Sequence, residues 1–302
     1  MRNRFRQSGI GARGLLLALA VLLCPGGALP DSRHAVHIAP VDHPRFQQVQ
    51  RLLEDEVPGA SFHAWSPDSD AGDLVVTLDR GTLSEIRANA PEQPVVALFT
   101  PSGAIESIIQ NREHFSAIYP DPPLPRQARL GQLIIPRAST VAILASPERA
   151  GDYSELRDRL SAAGLESRVF VIPSQDQLIR NLARALSYGD FLLGTPDPAI
   201  YNRDTVKPLL LTSYRSNRLV IGPSRAFVDA GAVASTYSSA RAQILEAGGL
   251  IRHWLEQGEL REARYPEAFN VAINNQVARS MDLLVPREQE LRRILEREEV
   301  KP

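Results

Sequence analysis

From residue 35 onward, short runs of β-branched and other apolar residues alternate with longer stretches whose apolar positions recur every three to four residues. The run Ala35–Ala39 predicts a strand. After the loop Pro40-Val41-Asp42-His43-Pro44, the residues Phe46, Val49, Leu52 and Leu53 fall on one face of a helix from Arg45 to Glu56. Strands are expected again at Ala60–Ala64, Leu74–Leu78 and Pro94–Phe99, with a helix over Leu83–Ala88 between the last two. These runs are apolar throughout, the mark of strands covered on both faces, as in parallel sheets.

The rhythm pauses at the proline-rich Tyr119 to Pro125 and then restarts. Strands are expected at Thr140–Leu144, Ser167–Val171, Phe191–Leu193 and Leu219–Ile221. Helices are expected at Tyr153–Ala163, with Gly164 as its stop, at Gln175–Ser187 and near Thr205–Ser213. Ala234 to Gln257 reads as a short strand running into a long helix with Ala240, Ile244, Ala247, Leu250, Ile251 and Trp254 along its apolar stripe, ended by Gly258. One more strand follows at Tyr265–Ile273. The alternation predicts an α/β protein of two Rossmann-like lobes with parallel sheets. The lobes share no sequence repeat beyond that rhythm.

Ahead of the first strand the pattern changes character. Arg2, Arg4, Arg6 and Arg13 precede the unbroken apolar run Leu15 to Cys24, and Gly26, Gly27 and Ala28 follow it. A positive start, a short apolar core and a small-residue exit predict a signal peptide over residues 1–28, cleaved after Ala28, and hence export to the periplasm. An uncleaved membrane anchor is the other reading; Pro25-Gly26-Gly27 breaks such a helix short of the roughly 20 residues a span needs. Leu23 before Cys24 argues against lipoprotein processing, which wants a small residue there. Cleavage would take the formal charge from −1 to −5 and remove the single cysteine. Gly9-Ile10-Gly11-Ala12-Arg13-Gly14 matches the dinucleotide pattern GxGxxG, but no strand precedes it, so it carries no cofactor.

Composition narrows the chemistry by exclusion. Lys+Arg 34 against Asp+Glu 35, with no basic block, leaves no electrostatic footprint for nucleic acid. One cysteine rules out an intrachain disulfide and a cysteine-based zinc site. His37 and His43 flank one strand end, yet no His, Asp or Glu set has the spacing of a metal site such as HExxH. Gly222-Pro223-Ser224-Arg225-Ala226 lacks the second glycine of a GxSxG elbow, and there is no P-loop. Neither a metal, a cofactor nor catalysis is expected. Ligands of such folds bind outside the carboxyl ends of the strands, which directs attention to the loops there. These are Asp42-His43-Pro44, Asp79-Arg80-Gly81-Thr82, Thr100-Pro101-Ser102-Gly103, Thr195-Pro196-Asp197-Pro198 and Ser235-Thr236-Tyr237-Ser238. The same residue types are what turns and helix caps use. The candidate ligand-binding residues are Asp42, His43, Thr100, Ser102, Asp197, Ser235 and Tyr237: an anionic group at the Thr100–Gly103 turn, a cationic one at Asp42 or Asp197, and a flat face at Tyr237.

The segments Arg218 to Ser224 and Val228 to Ser235, the long helix after them, Ile273-Asn274 and Val285-Pro286 together resemble the substrate-binding proteins of ABC transporters, in their tryptophan/tyrosine-type group. His43-Pro44, Pro94-Val95-Val96 before Thr100-Pro101, and Leu133 to Pro136 fit the same pattern. The chain departs from it at Thr100-Pro101-Ser102-Gly103, where members usually carry Asp-Pro-Val, and at Tyr119 to Pro123, where they carry a glycine-rich crossover.

The resemblance implies the type I periplasmic binding protein fold, with its lobes joined by a three-strand hinge. Residues 36–137 would form the first lobe, completed by about 238–262, and 138–235 the second, completed by about 266–302, with crossings near Pro136-Arg137, Thr236 and Tyr265. It further implies a non-enzymatic solute-binding protein that closes on an amino acid or related small molecule and presents it to the membrane permease of an ABC importer. The alternative on the same fold is a sensing or interaction module acting with a sensor kinase or outer-membrane receptor.

Overall fold

The computed structural model describes residues 35–67, 69 and 73–299; the expected signal peptide over residues 1–28 lies outside them. Five strands, β1 (Ala35–Ala39), β2 (Ser61–Ala64), β3 (Leu74–Thr77), β4 (Val95–Ala97) and β5 (Phe115–Ala117), form the first sheet in the order β2-β1-β3-β4-β5. Every pairing in it is parallel. Val36, Ile38, Leu74, Val76 and Val96 pack beneath α1 (Phe46–Glu56) through Val49 and Leu53. Ala39, Val75, Val95 and Ala97 pack beneath α2 (Arg80–Asn89) and α3 (Ser102–Ile108) on the other face. Burying one such aliphatic side chain is worth about 1.5–3 kcal/mol, so apolar residues on both faces of each strand demand helices on both sides.

The chain then enters α4 (Leu124–Ile134), whose Ala128, Leu130 and Ile134 join the core of the second sheet. The first crossing therefore lies in Tyr119–Pro123, ahead of α4, and not near Pro136-Arg137. Gly131 lets α4 sit this close: a Cβ there would meet the Phe191 ring at 2.5 Å. The apolar stripe of α4 is broken by Arg126, Gln127 and Arg129, which is why the sequence pattern hides it.

The second lobe continues through β6 (Thr140–Ala145), α5 (Ser154–Ala162), β7 (Glu166–Val171), a short 3-10 turn at Gln175–Gln177 and α6 (Leu178–Tyr188). β8 (Phe191–Leu193), α7 (Val206–Arg215), β9 (Leu219–Ile221), α8 (Arg225–Ala230) and β10 (Ala234–Tyr237) follow. Next, α9 (Ala240–Gln257) returns to the first lobe, where Ile244, Ala247, Leu250, Ile251 and Trp254 complete the core beside α1; Gly258, at φ 75°, ends it in the left-handed region that glycine occupies without strain.

Arg264 then pairs alongside Ile118 at the edge of the first sheet, and the chain crosses once more into β11 (Asn270–Ile273), α10 (Asn275–Ser280) and α11 (Glu288–Glu299). The strand expected from Tyr265 thus begins only at Asn270, because the residues before it form the crossing. The second sheet has the order β11-β10-β9-β8-β6-β7, and its β10–β11 pairing is antiparallel. The reason is the route: the chain leaves β10 for the first lobe and comes back to β11 from the same side. Three described segments thus join the lobes, at Tyr119–Pro123, Ser238-Ser239 and Tyr265–Phe269, making this the two-lobed α/β architecture of type I periplasmic binding proteins.

Candidate functional site

Arg149, after β6, reaches the Gly103 carbonyl after β4, and residues after β3, β4, β6 and β8 share one cavity, so the carboxyl ends of the two sheets face each other. In the first lobe, Asp42 is exposed in the turn after β1. His43 is half-buried; its ring stacks on Phe99 with centroids 6.1 Å apart and planes 6° from parallel, and its Nδ1 accepts the Arg45 amide at 3.2 Å. The Arg45 guanidinium lies 5.6 Å from the same ring. Phe99 has φ 57°, a backbone conformation costly for a bulky residue and typical of sites where geometry serves binding. The sequence pattern placed Phe99 at a strand end; its aromatic character before Thr-Pro was the one available signal, and the strain was not readable.

Thr100 is buried and donates its hydroxyl to the Leu98 carbonyl at 3.4 Å. At Ser102 the expected anionic group is present, but the chain itself supplies it. The amide and hydroxyl of Ser102 donate to the two carboxylate oxygens of Asp121, both at 2.7 Å, and Asp121 belongs to the first crossing. Burial pushes the Asp121 carboxyl above its ordinary value, and the two Ser102 bonds pull it partly back. Tyr265, from the third crossing, is also raised, chiefly by burial and then by the Asp121 charge.

In the second lobe Asp197 is buried, taking the Ser146 amide at 2.7 Å and the Ala199 amide at 3.1 Å. It fastens the loop after β8 to the end of β6. Ser235 is buried as well: its hydroxyl accepts from Gln127 at 2.9 Å and donates to the Thr236 carbonyl at 2.9 Å. Gln127 lies on α4 and also accepts the Thr236 amide and hydroxyl, each at 2.8 Å. Tyr237 keeps an open edge; its hydroxyl accepts from Arg225 at 2.6 Å, and that guanidinium sits 5.0 Å from the ring.

Two cavities lie where the lobes meet. One of about 690 Å³ is lined by Arg80, Ser107 and Arg112 of the first lobe and by Ser146, Glu148 and Asp197 of the second. Another, of about 730 Å³, is lined by Ser102, Arg126, Tyr153, Pro196 and Tyr265. Arg149 borders both. Of the residues singled out from sequence, Asp197 borders the first cavity and Ser102 the second, whereas Asp42, His43, Thr100, Ser235 and Tyr237 border neither. Sequence reasoning passed over Arg149, Asp121 and Gln127, since an isolated Arg, Asp or Gln outside a motif carries no signal until the fold assigns its neighbours. Burial lowers the affinity of the Arg149 guanidinium for its proton, but the contacts with Tyr153 and Glu106 outweigh this and hold it more firmly charged than an ordinary arginine.

His37 lies within β1 rather than at its cleft end, with Nε2 3.0 Å from Asp73 and Nδ1 3.3 Å from Ser69. It shares no ligand geometry with His43. Among the described residues no group of three His, Cys, Asp or Glu side chains converges as a metal site would, and no helix is long and apolar enough to cross a membrane.

Solved structures of the same architecture are similar to this chain. A ligand-free, open substrate binding protein with adhesive properties from Clostridium difficile matches with a TM-score of 0.62 at 11% identity, covering 83% of this chain and 95% of that one. The ABC domain in complex with L-Trp from Streptococcus pneumonia matches at 0.57 and 15% identity, and a conserved domain protein from Vibrio cholerae O1 biovar eltor at 0.58 and 14%, both with the same coverage. A scan against family models gives no match, and a search of curated proteins gives none either. At these identities the likeness establishes the fold alone: the chain has the type I periplasmic binding protein fold.

Proposed function

We propose that this chain is an exported solute-binding protein whose lobes close on a small molecule, an amino acid or related solute, and present it to the membrane permease of an ABC importer. The observation that carries the reading is the pair of sheets with carboxyl ends opposed across a cleft, joined by three crossings that allow the lobes to hinge. Asp42, His43 and Tyr237 remain candidates with exposed edges outside the two cavities, and Phe99 joins them as a ring platform beside His43. Ser102 and Asp197 border the two cavities, and these two, like Thr100 and Ser235, are bonded to the chain's own groups.

A thermal-shift screen against amino acids, purines, sugars and small acids tests the reading. A solute at 100 times its dissociation constant adds about 2.7 kcal/mol of stability. No shift with any class would count against solute binding. A sensing or interaction module is the second reading, favoured by the use of Asp121 and Asp197 on the chain's own amides at the places where a solute's charges were expected. It predicts no thermal shift together with specific capture of a purified sensor kinase or outer-membrane receptor domain.

A further inference from the structure

Arg149 stands in the loop after β6, yet its guanidinium works on the opposite lobe. Nη1 donates to the carbonyl of Gly103 at 3.0 Å and Nη2 to the Glu106 carboxylate at 2.9 Å, both on α3. Asp152, on Arg149's own side, lies 3.3 Å from Nη2 and steadies it. The Arg149 side chain is only 14% exposed while the Glu106 carboxylate is 42% exposed, so the bond to the Gly103 carbonyl is the part of the contact kept from solvent and the ion pair adds to it from the rim.

The other half of the contact is an absence of side chain. A Cβ on Gly103 would meet the Pro196 carbonyl at 2.5 Å and Arg149 Nη1 at 2.8 Å, so only glycine lets the first turn of α3 seat against the second lobe. That turn is anchored from behind by Asp121 on Ser102. Movement of α3 away from Arg149 therefore means movement of the first lobe. We propose that Arg149, seated in the Gly103 notch and paired with Glu106, is a closure latch that sets how far and how often the two lobes part. The proposal rests on the hinged solute-binding reading. Because Arg149 borders both cavities, releasing it opens both at once. A solute held between the lobes then adds its own differential affinity to a closed state the chain already favours.

The test uses the full chain with Cys24→Ser, and with Ser84→Cys on α2 and Gln175→Cys after β7 carrying spin labels; both sites are exposed and on opposite lobes. Pulsed dipolar spectroscopy then reads the inter-lobe distance distribution. Arg149→Met and Gly103→Val should each move the main population to longer distances, and Glu106→Gln, at a 42% exposed carboxylate, should do so to a smaller extent without touching the fold. If Gly103→Val lengthens the distance while Arg149→Met and Glu106→Gln leave it as in the parent, the latch is wrong and the hinge stands. If none of the three differs from a single narrow parent distance, the hinged reading itself falls. Should Arg149→Met fail to fold, Glu106→Gln decides alone.

Discussion

The two lobes put their acidic side chains to different use. In the first, Asp79 serves its own helix, accepting the Thr82 amide at 2.8 Å and the Thr82 hydroxyl at 3.2 Å as the N-cap of α2. In the second, Asp190 reaches across about fifty residues of chain to take the Ser139 and Thr140 amides at 2.8 and 3.0 Å, and Asp197 likewise holds Ser146. Asp79 caps its own helix; Asp190 and Asp197 staple one strand end to another. The lobes differ in assembly too. The first is closed by one late helix, α9, whereas the second receives α4 before its first strand and α11 after its last. A carboxylate in a loop after a strand thus has three possible destinations, its own helix, a neighbouring strand or a solute, and spacing alone distinguishes only the first.

Close helix packing offers the strongest way to break this comparison. Gly131→Ala on α4 drives a methyl group into the Phe191 ring of a rigid core and should cost about 1–3 kcal/mol, as overpacking does, read by urea denaturation. Gly248→Ala on α9 would press its methyl group on Glu56 Cγ and come within 3.2 Å of Glu56 Cβ and 3.6 Å of Val57, but Glu56 is 32% exposed and the change gains up to about 1 kcal/mol of helix propensity, so its net loss should be the smaller of the two. Equal losses at the two sites would show that the lobes pack alike.

The acidic staples should separate next. Asp190→Ala removes an acceptor shared by two amides and the Thr140 hydroxyl and should cost about 1–3 kcal/mol, against about 1 kcal/mol for Asp79→Ala. Burial raises the Asp190 carboxyl, but the bonds from Ser139 and Thr140 outweigh it and the net shift is downward. A depressed acid stabilises the fold above its unfolded value, so the Asp190→Ala deficit should be full at neutral pH and shrink as acid carries the pH below the folded value. A deficit independent of pH would make it a packing effect.

Tyr237 sharpens the comparison at the cleft. Once a solute is identified by the thermal-shift screen, Tyr237→Ala should weaken its binding more than tenfold, about 1.4 kcal/mol, with little change in melting temperature of the protein alone. Calorimetric titration showing unchanged affinity would make the Tyr237–Arg225 pair a structural feature of the second lobe.

The smallest expected effect is at Asp121. Its carboxyl is raised by burial, so the folded state holds the proton more tightly than the unfolded chain, and ionising it costs stability. Relative to Asp121→Asn, the parent should therefore lose stability as pH rises from about 4, the ordinary aspartate value, through the raised one. Urea midpoints at several pH values check this, and parallel profiles would contradict it.

The strands and their companion helices were legible because burial on both faces leaves continuous apolar runs: Phe191–Leu193 and Leu219–Ile221 were expected at the bounds they have. β5 reads Phe-Ser-Ala, so Ser116 breaks the apolar run that marks the other short strands, and α11 carries its core contact on Leu291 and Leu295 amid charge, so neither stood out. The site was half legible. Loops after strands could be named in advance, but Ser102 and Ser235 turned out to be satisfied by Asp121 and Gln127, partners 19 and 108 residues away.

Local patterning therefore determined the βα rhythm, the two sheets and the cap at Gly258, since each depends on residues within a few turns of one another. Tertiary structure decided where the first crossing falls, which way β11 runs, and which polar groups in the cleft are already bonded. Those depend on contacts between distant segments, and hydrogen bonds and ion pairs of that kind leave no period in the chain.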